Sequence, residues 1–164
     1  MMRRLVVMRH AKSSWKDGNL SDHQRPLNKR GRRDAPRIAE CLLGLDWVPD
    51  LVVSSDSQRT RETWAQMATV FQNPIPTLFS ERLYHGGMGA ARELLAEQSA
   101  KHRCIIILGH NPGWEQVVYC LSGEAVTMTT ANAALLVGKG ATWDEALGVR
   151  GSWDLKQVLR PKEL

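Results

Sequence analysis

The chain has 164 residues, a length that suits one domain with a substantial hydrophobic core, and we assign residues 1–164 to that domain. Hydrophobic residues make up 43% of it and charged residues 24%, and no apolar stretch is long enough for a membrane span or a signal-peptide core. We therefore expect a cytoplasmic protein with no membrane partner, and we take it to be a monomer. The net charge of +5 indicates either an anionic substrate or simply a basic surface.

The cysteines and the basic residues each have a plain interpretation. Cys41, Cys104 and Cys120 are odd in number and irregularly spaced, which favours free thiols in a reducing compartment over a disulfide framework. A basic run that binds nucleic acid would be expected to contain aromatic residues for stacking on bases. The run here contains none, so a solvated helix face near a phosphate site explains it at least as well, and we expect no nucleic-acid partner. Its members are Arg25, Lys29, Arg30, Arg32, Arg33 and Arg37.

Short apolar runs alternate with amphipathic stretches along the chain, which is typical of an α/β domain with a largely parallel sheet. The first buried strand is predicted over residues 5–8, and a polar loop follows from 11 to 27. The next stretch, 28–45, has one apolar face and predicts a helix. Pro36 lies inside it, so either the first turns are distorted or the regular helix begins near Asp34.

The middle of the chain predicts a second strand and a second helix. The strand covers residues 50–54, and the helix begins near Ser55, which with Gln58 has the spacing of a capping box. Further along, residues 77–79 predict a short strand and residues 90–100 a helix.

The last third of the chain contains the strongest buried-strand pattern, residues 104–108. Asn111 and Pro112 follow it and predict a helix with Asn111 as N-cap and Pro112 as first helical residue. Residues 133–137 predict another strand, and residues 152–159 a last strand at the edge of the sheet.

Four residues suited to phosphate chemistry follow predicted strands. Arg9 and His10 end the first strand, Arg59 lies at the start of the helix after the second, and His110 follows the strand over 104–108. Ligands of open α/β sheets bind at the carboxyl ends of the strands, so these side chains are expected to converge in one crevice. Alone, each would more often be a structural or solvated residue, and only their joint placement favours a site.

The residue types match a phosphoryl group. An arginine presents a planar fork of donors to two phosphate oxygens, and a helix N-terminus adds backbone donors. A neutral imidazole can attack phosphorus and form a covalent intermediate, provided that its other ring nitrogen is held by an acceptor. A second histidine can donate a hydrogen bond to the phosphoryl oxygens and stabilise charge in the transition state.

Other chemistries lack their motifs. A cysteine phosphatase needs an arginine six positions after a cysteine, but those positions hold Trp47, His110 and Val126. The chain also has no P-loop, no dinucleotide-binding glycine motif, no zinc-protease motif and no nucleophile elbow. A metal site could in principle use His10, His85 and His110, but no carboxylate or cysteine lies at regular spacing from them. We therefore predict no metal site and no cofactor.

Four segments, in this order along the chain, resemble motifs of the histidine phosphatase superfamily, to which phosphoglycerate mutase also belongs. The first differs from the usual Arg-His-Gly in having Ala11 in place of glycine. Together the segments span most of the chain and are highly specific, and the form of the first one resembles the SixA type, the phosphohistidine phosphatases. The segments are Leu5–Trp15, Arg25–Gly31, Ser54–Thr63 and Gly109–Gly113.

The resemblance implies a three-layer α/β/α fold with a mostly parallel, mixed six-stranded sheet. It implies His10 as the nucleophile, with Arg9, Arg59 and His110 completing the phosphate pocket and no metal ion taking part. Lys16 and Arg25 lie in loop positions from which they could reach the phosphate, although a solvated surface role explains them equally well. The implied partner is a phosphorylated substrate, with a phosphohistidine-bearing protein as the first choice.

The resemblance does not decide which residue is the general acid. Mutase-like and broad-specificity members carry a catalytic glutamate where this chain has His85, and Glu81 is the nearest carboxylate. Either residue could protonate a leaving group, or a phosphoramidate could leave without a strong acid. Two other functions stay open: a phosphomonoesterase for small metabolites, and a non-catalytic protein that binds phosphate or a phosphopeptide.

Overall fold

The computed structural model describes residues 1–164 and forms one six-stranded sheet with helices on both faces. The strands are β1 (Met2–Arg9), β2 (Leu51–Ser55), β3 (Thr77–Ser80), β4 (Cys104–Gly109), β5 (Ala133–Lys139) and β6 (Asp154–Leu159). The helices are α1 (Lys29–Gly44), α2 (Gln58–Ala68), α3 (Met88–Ala96), α4 (Gly113–Ser122) and the short α5 (Trp143–Ala146). No helix is both long and apolar enough to cross a membrane.

The strand order is β3-β2-β4-β1-β5-β6, and β5 alone runs antiparallel to its neighbours. This confirms the mixed, mostly parallel sheet and places β6 at an edge. Successive residues of β1 point to opposite faces, since Leu5 and Val7 join one hydrophobic cluster while Val6 and Met8 join the other. Helices α3, α4 and α5 cover the first face, and α1 and α2 cover the second.

Helix α1 begins at Lys29 and continues through Pro36, which confirms the helix predicted over 28–45 and excludes the alternative start near Asp34. The side chain of Asn28 fixes the earlier start, because its Oδ1 accepts a hydrogen bond from the backbone of Gly31 at 2.9 Å. Pro36 stands inside the helix and has no N–H to donate to the preceding turn. The N-cap therefore determines where this helix begins, in spite of the proline.

Helix α2 begins after Ser57 and not near Ser55, which corrects the predicted capping box. Ser55 is still paired with Ser80 as the last residue of β2, so it has no place in the helix. The Ser57 side chain accepts from the backbone of Thr60 and is the true N-cap. This shift leaves the hydroxyl of Ser55 free to act in the site described below.

Helix α4 also starts one residue later than predicted, with Pro112 as N-cap and Gly113 as first helical residue. Asn111 still serves the first turn, since its Oδ1 accepts from the backbone of Glu115 at 3.3 Å. Its amide nitrogen donates to the Glu115 carboxylate at 2.9 Å. These two contacts hold the turn that carries His110 against the start of α4.

The close packing of α1 on the loop after β1 yields a stability prediction. A Cβ atom at Gly31 would overlap the backbone carbonyl of Lys12, whereas one at Gly44, in the same helix, meets nothing within 4 Å. We expect Gly31→Ala to destabilise the fold by about 2 kcal/mol, because backbone cannot give way easily. Gly44→Ala should be neutral or stabilising by up to about 1 kcal/mol. Urea unfolding of both variants measures the difference, and equal midpoints would contradict it.

Candidate active site

The predicted convergence at the carboxyl ends of the strands is present. His10 follows β1, His110 follows β4, and these strands are parallel neighbours in which Arg9 pairs with Gly109. The two imidazole rings have centroids 5.2 Å apart. Arg59, in the first turn of α2, places its Nη2 3.5 Å from Nδ1 of His110. Two histidines and an arginine from three distant segments therefore share one site.

The surroundings of His10 select one tautomer. Its Nδ1 lies 2.7 Å from the carbonyl oxygen of Ala11, which can only accept, so Nδ1 carries the hydrogen and Nε2 keeps its lone pair. Ala11 is held in turn by Thr63 of α2, whose Oγ1 accepts from the Ala11 backbone at 3.1 Å. Burial lowers the pKa of His10 to about 3, which keeps the ring neutral. A neutral imidazole with a fixed tautomer has the form that a nucleophile requires.

His110 is oriented from both sides. Its Nε2 lies 2.9 Å from the hydroxyl of Ser55, and its Nδ1 faces the guanidinium of Arg59. A guanidinium can only donate, so Nδ1 accepts and the Nε2 hydrogen goes to Ser55. Burial, followed by the charges of His10 and Arg59, lowers the pKa of His110 to about 3. An anion bound beside the ring would oppose these effects and favour the charged imidazolium.

The two depressed pKa values predict an acid-sensitive fold. Both histidines have a folded-state pKa of about 3 against an ordinary 6.5, so protons bind the unfolded chain first as the pH falls. Stability should therefore be complete above pH 6.5 and decrease towards pH 3, by about 3 kcal/mol for each histidine at pH 4.5. Urea unfolding at pH 7 and 4.5 measures the loss. The double variant His10→Asn, His110→Asn should lose clearly less, and an equal loss would contradict the prediction.

Arg9 and Arg59 bring unused donors to the site. The Nε atoms of both are buried and have no hydrogen-bond partner. Arg9 donates from Nη1 to the carbonyl of Met128 at 3.1 Å, and Arg59 donates to the backbone and side chain of Asp22 at 2.6 and 3.0 Å. The N–H donors of these two arginines thus outnumber the acceptors around them, a condition that favours the binding of an anion such as phosphate.

Two cavities meet at this point, sharing Asp22, Arg59, His110 and Asn111. The His10 cavity, about 280 Å³, is further lined by Arg9, His10, Lys12, Ser13, Trp15, Arg25 and Thr130. The Tyr84 cavity, about 450 Å³, is further lined by Tyr84, His85, Gly86, Gly87, Pro112, Gly113 and Gln116. A phosphoryl group at the shared wall would have room for its substituent on either side.

The remaining residues predicted from the sequence are distributed unevenly. Arg25 lines the His10 cavity, where its guanidinium stacks 3.3 Å from the ring centre of Trp15. Lys16 is exposed and lines neither cavity. His85 lines the Tyr84 cavity without a hydrogen-bond partner, and Glu81 lines neither. No group of three or more His, Cys, Asp or Glu side chains is arranged to hold a metal ion.

Sequence reasoning missed Asp22 and Tyr84. Asp22 lies in a 3₁₀ turn, Asp22–Gln24, inside the polar loop, and its carboxylate accepts from Arg25, Arg59 and the Tyr84 hydroxyl. The Tyr84 hydroxyl, followed by the two arginines, holds the pKa of Asp22 well below its usual range. The ring of Tyr84 stacks on His23, with centroids 4.8 Å apart. The spacing of Asp22 and Arg25, three residues apart, was the one available signal.

Comparison with known proteins agrees with this geometry. An uncharacterised chloroplastic protein of Arabidopsis thaliana is 38% identical over 170 residues, covering 97% of this chain and 78% of that protein. A structure assigned as the phosphohistidine phosphatase SixA of Nakamurella multipartitia superposes with a TM-score of 0.87 at 25% identity, over 98% of this chain and 97% of that one. The protein histidine phosphatase SixA complexed with tungstate shares the fold, with a TM-score of 0.82, 22% identity and 98% of each chain covered.

The sequence profile of the histidine phosphatase superfamily, branch 1, matches residues 5–126, which include His10, Arg59 and His110. This match and the superposition on SixA structures confirm the family predicted from the sequence. The chain therefore belongs to the histidine phosphatase superfamily and is a phosphatase, and its structure is similar to those assigned as SixA.

Proposed function

We propose that this phosphatase hydrolyses phosphohistidine, or a related phosphoramidate, through a phosphorylated His10 and without a metal ion. The observation that carries the proposal is the state of His10, which is buried and neutral, keeps a lone pair on Nε2, and lines one cavity together with Arg9, Arg25 and Arg59. Such a ring can accept a phosphoryl group directly, and the arginines supply the positive charge that a metal ion would otherwise provide.

The reaction runs in two steps. In the first, Nε2 of His10 attacks phosphorus while the bond between phosphorus and the substrate nitrogen breaks, and its electron pair leaves with that nitrogen. Arg9 and Arg59 hold the phosphoryl oxygens, and His110 stabilises their developing charge. In the second, water attacks the phosphorylated His10, so that inorganic phosphate leaves and the imidazole is restored.

The distribution of charge supports an anionic substrate. Residues 12–37 contain eight Lys and Arg against three Asp, a net charge of +5, while the other residues contain 14 basic and 14 acidic ones. The whole net charge of the chain thus lies in this segment, from which Lys12 and Arg25 line the His10 cavity. Three lysines of this segment have no carboxylate within ion-pair distance: Lys12, Lys16 and Lys29. Positive charge in this segment speeds the encounter with a phosphorylated partner.

The substrate class follows from the leaving group. The sequence predicts His85 where relatives with broad specificity carry a catalytic glutamate, and a phosphoramidate, which leaves more readily than an alkoxide, depends less on an acid at that position. The SixA structures that this fold resembles belong to phosphohistidine phosphatases, which supports the same choice. A small phosphomonoester is the second candidate, because the Tyr84 cavity of about 450 Å³ has room for a small organic substituent.

A side-by-side assay separates the two candidates. Phosphate release from phosphohistidine and from p-nitrophenyl phosphate is measured with EDTA present, for the wild type and His10→Ala. Release that resists EDTA, prefers phosphohistidine and disappears in the variant is the expected result. Preference for the ester would move the substrate to small phosphomonoesters, and sensitivity to EDTA would contradict the metal-free mechanism.

A further inference from the structure

We propose that Asp22 donates the proton to the leaving group, and that it becomes free to do so when a phosphoryl group takes its place on Arg59. This inference deepens the proposed function and rests on it. The first argument is position. Asp22 is the one acidic residue that lines the His10 cavity, and also the one that lines the Tyr84 cavity. Whichever cavity receives the leaving group, the carboxyl group of Asp22 borders it.

The two acids suggested by the sequence are less well placed. Glu81 lines neither cavity, so it has no route to a leaving group. His85 lines only the Tyr84 cavity and has no hydrogen-bond partner to orient its ring. Proton transfer requires an acid within hydrogen-bond reach of the departing atom, and this requirement favours Asp22 over both.

The second argument is the contact with Arg59. The carboxylate of Asp22 accepts from Nη2 of Arg59 at 3.0 Å, and the backbone oxygen of Asp22 accepts from Nη1 at 2.6 Å. Nη2 of the same guanidinium lies 3.5 Å from Nδ1 of His110, at the wall shared by both cavities. A carboxylate therefore occupies the donors that a phosphoryl group would need, and the two anions compete for them.

Displacement from Arg59 changes the protonation of Asp22. A bound phosphoryl group removes one cationic partner from the carboxylate and adds an anionic neighbour, and both changes favour the protonated acid. The hydroxyl of Tyr84 opposes this shift because it donates to the carboxylate, and Arg25 opposes it less strongly at 2.8 Å. These two side chains hold the acid in the site once its contact with Arg59 is broken.

The loop allows the movement. Asp22 lies in a 3₁₀ turn of three residues, and its side chain is 49% exposed in spite of its contacts. A shift of this side chain away from Arg59 therefore disturbs no packed core.

Asp22 takes a proton from solvent when the phosphoryl group displaces it from Arg59, and returns that proton when inorganic phosphate leaves. The proton balance closes over the two steps between. As the phosphorus–nitrogen bond breaks, the proton of the Asp22 carboxyl group passes to the departing nitrogen, and the product leaves as neutral histidine. The resulting carboxylate then takes a proton from the water that attacks phosphorylated His10, which regenerates the acid.

The test compares leaving groups of different basicity in the wild type and Asp22→Asn. p-Nitrophenolate leaves without a proton, whereas the nitrogen of phosphohistidine needs one, more so at higher pH. Asp22→Asn should lose about 100-fold in kcat on phosphohistidine and stay within about 3-fold on p-nitrophenyl phosphate. Asp22→Glu should recover part of the loss. Asp17→Asn, in the same loop but bonded only to the backbone of Asn19, should behave as wild type.

A second measurement tests the competition for Arg59. Inorganic phosphate should inhibit Asp22→Asn several-fold more strongly than the wild type, because the amide holds the arginine less tightly than the carboxylate does. An unchanged inhibition constant would contradict the displacement of Asp22 by the phosphoryl group.

The remaining outcomes separate this inference from the function on which it rests. Equal losses of Asp22→Asn on both substrates would overturn the proton-donor role alone, since a purely structural or electrostatic role affects both. The selective loss appearing in His85→Gln instead would also overturn it. A wild type that releases phosphate from neither substrate would overturn the proposed function, and this inference with it.

Discussion

His10→Ala is expected to reduce kcat/KM by at least about 10,000-fold, because the variant has no atom to accept the phosphoryl group. His10 lines one cavity with Arg9 and Arg59, and the contact of its Nδ1 with the Ala11 carbonyl leaves the lone pair on Nε2. Phosphate release under saturating and limiting substrate measures the change, and circular dichroism shows whether the variant is folded.

A matched control for this variant is the substitution of His102, which lies outside the site. His102 precedes β4 at the end opposite to His110, and its ring faces Asp50 at 3.4 Å. His102→Ala should retain the turnover of the wild type. Substantial turnover by folded His10→Ala would show that His10 is not the nucleophile.

The second largest effect is expected for Arg59→Ala, which should lose about 100-fold or more in kcat/KM, equivalent to about 3 kcal/mol of transition-state stabilisation. Arg59 is 6% exposed and lines both cavities, so the substitution removes from the site a buried guanidinium that is held in place by Asp22. The effect should lie largely in kcat, since charge on the phosphoryl oxygens grows in the transition state.

The neighbouring Arg61 supplies the control. It lies on the same turn of α2 but points to the surface, where it donates to the carbonyl of Asp56 and stacks on Phe79. Arg61→Ala should change kcat/KM by less than about 3-fold, as surface substitutions away from the site do. Similar losses in Arg59→Ala and Arg61→Ala would mean that α2 acts through general positive charge and not through a specific clamp.

The sheet and the meeting of the site residues were predictable because each depends on a strong local pattern. The continuous apolar run around Ile106 must be shielded from water on both faces, which predicts a central strand of a parallel sheet. His10 and His110 both follow such runs, and parallel strands bring their carboxyl ends to one edge. The resemblance to the histidine phosphatase superfamily then added a role for each residue.

The helix starts and the acidic part of the site were not predictable in the same way. Ser55 and Ser57 are equally good N-caps by residue type, and only the pairing of Ser55 with β3 decides between them. Asp22 lies in a loop without periodicity, and its partners Arg59 and Tyr84 are 37 and 62 residues away in the chain. Such contacts depend on the tertiary fold, which no local spacing encodes.

The most direct test of the account is to trap the phosphoenzyme. The protein is mixed with ³²P-labelled substrate and denatured in alkali, in which phosphohistidine survives, and the labelled peptide is then identified. We expect label on the peptide that contains His10 in the wild type and none in His10→Asn, with His110→Asn still labelled more slowly. Turnover without any labelled histidine, or label on His110 instead of His10, would contradict the assignment of His10 as the nucleophile.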